Sequence, residues 1–324
     1  MNRTVALGIA VVTCAAVVLA ALSATAPALP ASPPHAWVVL AGEPGDQSYV
    51  DSARAGVARA NASKRFRVEE FAPSDGDRLE TRLRDRDDLP GLVEVQDSGA
   101  WPGAVERWAD AHPGMRFLVI DAVVPARSNV RSVRISADGV SFLAGALAAA
   151  GAGGRPVAVI AGMPSPVMAQ FVRGFSDGAA AEVPETRVDV RYISKGVDGF
   201  SDPERGRAGA EALYQNGTAV IYAACGGSST GVIDAAGRAP GRFVVGVDRD
   251  QADLGPTVVL GSAVKRVDRV VEEALLAYAD GAFTPGDTVI GLDANATDLV
   301  LNPQFEGLAP VLERHRASAG ERDR

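Results

Sequence analysis

Short apolar runs in this chain end repeatedly in side chains that donate or accept hydrogen bonds. Trp37 to Ala41 is followed by Gly42, Gly45, Asp46, Ser48 and Tyr49, the run from Gly91 closes on Gln96, Asp97 and Ser98, and the run from Arg116 closes on Asp121. In the second half, Pro156 to Ala161 leads to Gly162, Ala219 to Ala224 leads to Cys225, Gly226 and Gly227, and the run from Arg242 ends in Asp248, Asp250 and Gln251. Carboxylates, hydroxyls and glycines at strand ends suit hydrogen bonding to a small polar molecule in the crevice outside the carboxyl ends of a parallel sheet. Any one of these positions is equally well explained as turn or helix-cap chemistry. Their recurrence in both halves favours a shared cleft.

Catalytic and metal chemistries fit less well. Gly174-Phe175-Ser176-Asp177-Gly178 spells a nucleophile-elbow pattern, but it continues the helical spacing of Met168, Phe171, Val172 and Phe175 instead of following a strand. The later histidine, His315, lies in a charged tail, so no base is offered to Ser176. Gly151-Ala152-Gly153-Gly154 lacks the Lys and Ser/Thr of a phosphate loop. Two cysteines, Cys14 and Cys225, and three scattered histidines provide neither a disulfide framework nor a metal-ligand spacing, and no cofactor is expected. A net charge of −8 argues against nucleic acid as a partner.

The elements that must hold these residues alternate. Strands are predicted at 37–41, 65–71, 91–96 and 116–121, with helices at 49–62 and 104–111. A second series follows, with strands at 156–161, 187–193, 219–224 and 242–248 and helices at 166–181, 203–216 and 229–237. Near-continuous apolar strands joined by helices imply doubly wound parallel α/β sheets, and two such series imply two lobes. The strand at 257–262 and the helix at 266–280 are expected to return to the first lobe. That assigns 36–125 with 256–283 to lobe 1 and 126–255 with 284–303 to lobe 2, with three connections near 124–133, 250–258 and 283–287. Residues 304–324 form a charged tail, expected to fray from Glu313 onward.

Ahead of this, residues 1–26 hold a nearly uncharged apolar run from Val5 to about Ala24, long enough to span a bilayer, and Ala24-Thr25-Ala26 offers small residues for a signal peptidase. A cleaved signal and a retained anchor both fit, whereas the residues before Cys14 suit a lipid-anchor cysteine poorly. Residues 27–35, with Pro27, Pro30, Pro33 and Pro34, make a stiff tether. The folded part is therefore expected outside the cytoplasm, at the membrane or secreted.

Several stretches in order resemble the basic membrane protein family of bacterial solute-binding lipoproteins. They are Asn129 to Val133, Ser141-Phe142-Leu143-Ala144-Gly145, Met163 to Phe171 with Gly174, Val220 to Gly231, and Gly246-Val247-Asp248-Arg249-Asp250-Gln251 with Ser262 and Lys265. The resemblance implies a periplasmic-binding-protein type I fold, two doubly wound lobes on a three-strand hinge, in a monomer that delivers purine or other nucleosides to an ABC permease and its ATPase. It also implies ligand contacts at Asp46, Ser48, Tyr49, Asp97, Asp121, Phe200, Gly226, Gly227, Asp248 and Lys265. Tyr49 and Phe200 would sandwich a base, and Asp248 and Lys265 would hold ribose hydroxyls. Val50 stands where the family has Asn, and Cys225, Ser228, Ser229 and Thr230 replace its usual Ala, Thr, Gly and Asn. Without the resemblance, Lys265 reads as a surface charge opening a helix. The alternative function is a membrane-tethered sensor of the same fold with no transport role.

Overall fold

The computed structural model describes residues 34–85, 88–96 and 101–323. The expected signal or anchor and nearly all of the proline-rich tether lie outside the described residues.

Two six-stranded sheets form, each flanked by helices. The first is built from β1 (His35–Val39), β2 (Arg67–Phe71), β3 (Leu92–Gln96), β4 (Arg116–Ile120) and β5 (Val130–Ile135), interleaved with α1 (Tyr49–Ala62), α2 (Gly76–Asp85) and α3 (Pro102–Ala111). The second is built from β6 (Val157–Ala161), β7 (Val188–Tyr192), β8 (Val220–Ala224), β9 (Phe243–Asp248) and β10 (Val259–Lys265). Its helices are α4 (Asp138–Gly151), α5 (Pro166–Glu182), α6 (Pro203–Gln215) and α7 (Ser229–Gly237). Then come α8 (Val267–Ala279), β11 (Gly286–Ile290), β12 (Thr297–Leu301) and α9 (Ala309–Glu321).

The strand orders are β2-β1-β3-β4-β5-β11 and β7-β6-β8-β9-β10-β12, with every pairing parallel except β12 against β10. Burial on both faces explains the apolar runs. In β1, Ala36 and Val38 face one core with Val50, Val57 and Leu275, while Trp37 and Val39 face the other with Leu79, Val105 and Trp108. Each fully buried side chain of this size contributes roughly 1.5–3 kcal/mol.

The lobe boundaries differ from those expected. β5 and β11 belong to the first sheet and β10 to the second, so 130–135 and 286–290 move to lobe 1 and 259–265 to lobe 2. The three passes between sheets therefore fall at Ser136–Ala137, at Arg266 and at Gly291–Ala296, each several residues later than predicted. In each case the chain completes a strand before it crosses. β5 carries the half-buried Arg131 and Arg134 among its buried residues, and this mixture reads as a connector rather than a core strand. The tail expected to fray from Glu313 is helical as far as Glu321, and α9 buries Val311, Ala319 and Gly320 against lobe 2.

The elbow-like glycines have a packing role. A Cβ on Gly178 would lie 1.9 Å from the Phe142 carbonyl oxygen, one on Gly174 2.3 Å from that of Asp138, and one on Gly145 2.0 Å from that of Phe175. Helices α4 and α5 are thus in backbone contact, and Ser176 sits inside α5 donating to the Val172 carbonyl.

Candidate functional site

Strand β4 of lobe 1 and β9 of lobe 2 occupy the same place in their sheets, and each ends in an aspartate with left-handed backbone, φ +67° at Asp121 and +65° at Asp248. Aspartate tolerates that region better than most residues because its short side chain bonds locally. The turn aims both carboxylates into the space between the lobes, where each is met from the other side.

Asp121 Oδ2 accepts from Lys265 Nζ at 2.6 Å and from the Tyr49 hydroxyl at 3.0 Å, and its Oδ1 accepts from the Ile135 backbone N–H at 3.0 Å. Lys265 is the last residue of β10, not the opening of a helix, and is 3% exposed. The surface-charge expectation is thereby corrected: the lysine is carried inward by its strand and paired. Tyr49, first residue of α1, has its hydroxyl pKa pushed well above the usual value by burial and by the neighbouring Asp121 charge. Ser48 Oγ donates to Asp248 Oδ2 at 2.5 Å. Burial raises the Asp248 carboxyl to about 6, opposed by the Ser48 hydrogen bond and the Lys265 charge. A third link joins the lobes at the rim, from Arg249 Nε to the Gln47 carbonyl at 2.7 Å.

The remaining expected residues divide. Asp46 builds the turn into α1, its oxygens accepting from the backbone N–H groups of Ser48, Val50 and Asp51 at 2.9–3.0 Å. Gly227 lies against it across the cleft, where an added Cβ would come within 3.2 Å of the Asp46 carbonyl. Gly226, with φ +55°, sits under Phe200, whose ring also covers Gly162 so closely that a Cβ there would meet it at 2.4 Å. Phe200 is thus seated on the lobe 2 rim. Asp97 lies outside the described residues. Asp248 and Lys265, expected together on one sugar, belong to separate pairs.

Two residues at the site, Phe171 and Glu94, were not anticipated, and Gln251, expected among the cleft residues, is held by partners within its own lobe. Phe171 on α5 shares the Lys265 ammonium with Tyr49, the cation lying 5.9 and 5.6 Å from the two ring centres. Phe171 in turn leads to Tyr222, which stacks on Phe175 at 5.2 Å and shares a 3.0 Å hydrogen bond with Ser141. Gln251 locks the turn after β9, donating to Ser229 Oγ and accepting from the Val247 N–H while its own N–H donates to Ser262 Oγ. Glu94, wholly buried in the middle of β3, has Oε1 without a partner, and burial raises its carboxyl to about 8. A charged letter inside Leu92-Val93-Glu94-Val95 was the signal for it.

The family model for ABC transporter substrate-binding proteins of the PnrA-like type matches residues 35–306. The chain belongs to this family. Relatives include the ABC transporter nucleoside-binding protein BmpA of Lactococcus lactis, 32% identical over 198 residues, and basic membrane protein D of Borreliella burgdorferi, 30% identical over 204. These matches cover 56% and 61% of this chain and 55% and 59% of the relatives, so the chain spans little more than half the length of either. A solute-binding protein of an ABC transporter system from Aeropyrum pernix is similar at a TM-score of 0.75 and 25% identity, covering 89% of this chain and 86% of that one. A carbohydrate-transporter solute-binding protein from Agrobacterium radiobacter, in complex with D-arabinose, shares the fold at TM-score 0.66 and 18% identity over 86% and 99% of the two chains. The PnrA-like family consists of solute-binding proteins, and the two-lobed architecture is that of type I periplasmic binding proteins.

Proposed function

We propose that this PnrA-like protein works outside the cytoplasm, attached to the membrane or released from it by cleavage, as a non-catalytic receptor that closes on a nucleoside and hands it to an ABC permease with its ATPase. The observation that carries this reading is the pair of strand-end aspartates on equivalent strands, each reached by a donor from the opposite lobe. A nucleoside offers such a site hydroxyl donors for Asp248 and a flat base for the aromatic groups around Lys265 and on the lobe 2 rim. The nucleoside-binding name of the Lactococcus relative supports the same ligand class. Asp46, Ser48, Tyr49, Asp97, Asp121, Phe200, Gly226, Gly227, Asp248 and Lys265 are the proposed contacts. Within that set, Asp46 acts by holding α1, and Asp121 by neutralising Lys265.

Because a ligand that binds only the folded state raises its stability by mass action, a thermal-shift screen tests this directly. Adenosine, guanosine, inosine and uridine should raise the melting temperature in a concentration-dependent way, with ribose and arabinose much weaker. A sugar response with no nucleoside response would replace the ligand class.

A further inference from the structure

Two of the three connections between the lobes converge on one carboxylate. Asp323, just beyond α9, accepts from Ser136 Oγ at 2.6 Å and the Gly139 N–H at 3.0 Å, and on its other oxygen from the Leu292 N–H at 2.8 Å. Ser136 belongs to the first crossing, Gly139 to the helix that crossing enters, and Leu292 to the third crossing. The socket is tight. A Cβ on Gly291 would lie 2.2 Å from Asp323 Oδ2, and one on Gly139 would lie 2.8 Å from the same oxygen.

Its neighbour Arg322 fixes the segment to lobe 2. The guanidinium donates to Asp138 Oδ1 at 2.6 Å and to Asp177 Oδ2 at 2.5 Å, and it lies 5.1 Å from the Phe142 ring centre. Helix α9, which ends just before both residues, packs on α4. Residues 307–323 lie beyond the stretch that the family model matches, whereas Ser136, Gly139 and Leu292 lie within it.

We propose that Asp323 is a hinge latch, which ties the first and third crossings together and to lobe 2 and so favours the closed arrangement of the lobes. Lobe opening is absorbed by backbone rotation at the crossings. A carboxylate bonded to two of them at once resists any rotation of one against the other, and the glycines leave no slack for it to follow. The latch therefore shifts the balance between open and closed forms by as much as its contacts differ between them. It needs no ligand, so its test is separate from that of the nucleoside reading.

The experiment is pulsed dipolar spectroscopy on the full chain in a Cys14→Ala background, with spin labels at Pro44→Cys and Lys195→Cys on opposite banks of the cleft. Cys225 is buried and will not take a label. Without ligand, the parent should show a dominant short distance. Asp323→Ala should raise the long-distance population severalfold, and Gly291→Ala should do the same by displacing an intact carboxylate. Asp323→Asn, which keeps one acceptor oxygen, should fall between the parent and Asp323→Ala. Circular dichroism should report all variants folded, since a merely structural residue would change melting without changing the distance. Parent-like distance distributions in folded Asp323→Ala and Gly291→Ala would overturn the latch. Should Asp323→Ala fail to fold, the Asn and Gly291 variants decide in the same way.

Discussion

Asp121 and Asp248 stand at the same point of two similar sheets, with the same unusual backbone, and yet they are used differently. Asp121 gathers an ammonium, a phenol and a backbone N–H, two of them charge-assisted or short. Asp248 takes a serine hydroxyl on one oxygen and keeps a carboxyl raised to about 6. A carboxylate already matched by a cation contributes to holding the lobes together. One that is buried without its own cation favours new donors, and a ligand's hydroxyls can supply them. The two similar sheets thus provide two equivalent positions, of which one pairs with Lys265 across the lobes and the other is the proposed ligand acceptor.

The largest expected effect breaks the clasp. Asp121→Ala leaves the Lys265 ammonium buried and unpaired, which should destabilise the protein by about 3–5 kcal/mol in denaturant unfolding. Replacing Asp121 and Lys265 together by Asn and Met should restore most of that loss, because a buried pair contributes little net stability against neutral residues. Equal destabilisation by the single and double variants would mean that the pair is not the source.

Glu94 sharpens the contrast from beneath. Its folded pKa of about 8 lies above the unfolded carboxyl value, so the cost of ionising it is absent below about pH 4.5 and fully present above about pH 8. Glu94→Gln should therefore stabilise the protein at pH 9 by roughly 3–5 kcal/mol, at about 1.4 kcal/mol per pKa unit, and leave it nearly unchanged at pH 4. A flat difference across that range would show that Glu94 is not buried as described.

A smaller effect follows from Asp248. Ionised, it accepts on both oxygens; protonated, one of them becomes a donor and is lost to a ligand hydroxyl. Adenosine affinity should thus fall as pH drops through about 6, by about tenfold between pH 7 and pH 5. Phe171→Leu should cost less, roughly 0.5–1 kcal/mol of binding or stability, because it removes a ring near Lys265 but keeps most of the apolar volume.

How much of this could be read from sequence depended on distance along the chain. The strand and helix alternation, and the polar ends of the strands, are local patterns, and Ser48, Tyr49, Asp121 and Asp248 follow from them. Pairing is not local: Lys265 and Asp121 are 144 residues apart, and Ser48 and Asp248 are 200 apart. Nothing in the spacing says which of four donors meets which carboxylate. The crossings were misplaced for a related reason, since sheet membership of β5, β10 and β11 depends on partners elsewhere in the chain. Helix α9 was missed because its charges pair with Glu182 and Asp298, and that of the adjoining Arg322 with Asp138 and Asp177, which composition alone turns into a solvated tail. Glu94 and Phe171 were legible but looked like, respectively, an interruption and an ordinary core aromatic.

The central claim is that Asp248 is the acceptor that recognises the sugar of a nucleoside, whereas Asp121 serves the closed structure. Isothermal titration of adenosine and of adenine against the parent and Asp248→Ala at pH 7.5 tests it most directly. Loss of an acceptor that a desolvated hydroxyl needs is worth roughly 1–3 kcal/mol, so adenosine affinity should fall about tenfold to a hundredfold while adenine, which has no ribose, changes by less than about threefold. Adenosine bound by Asp248→Ala as tightly as by the parent would contradict the account.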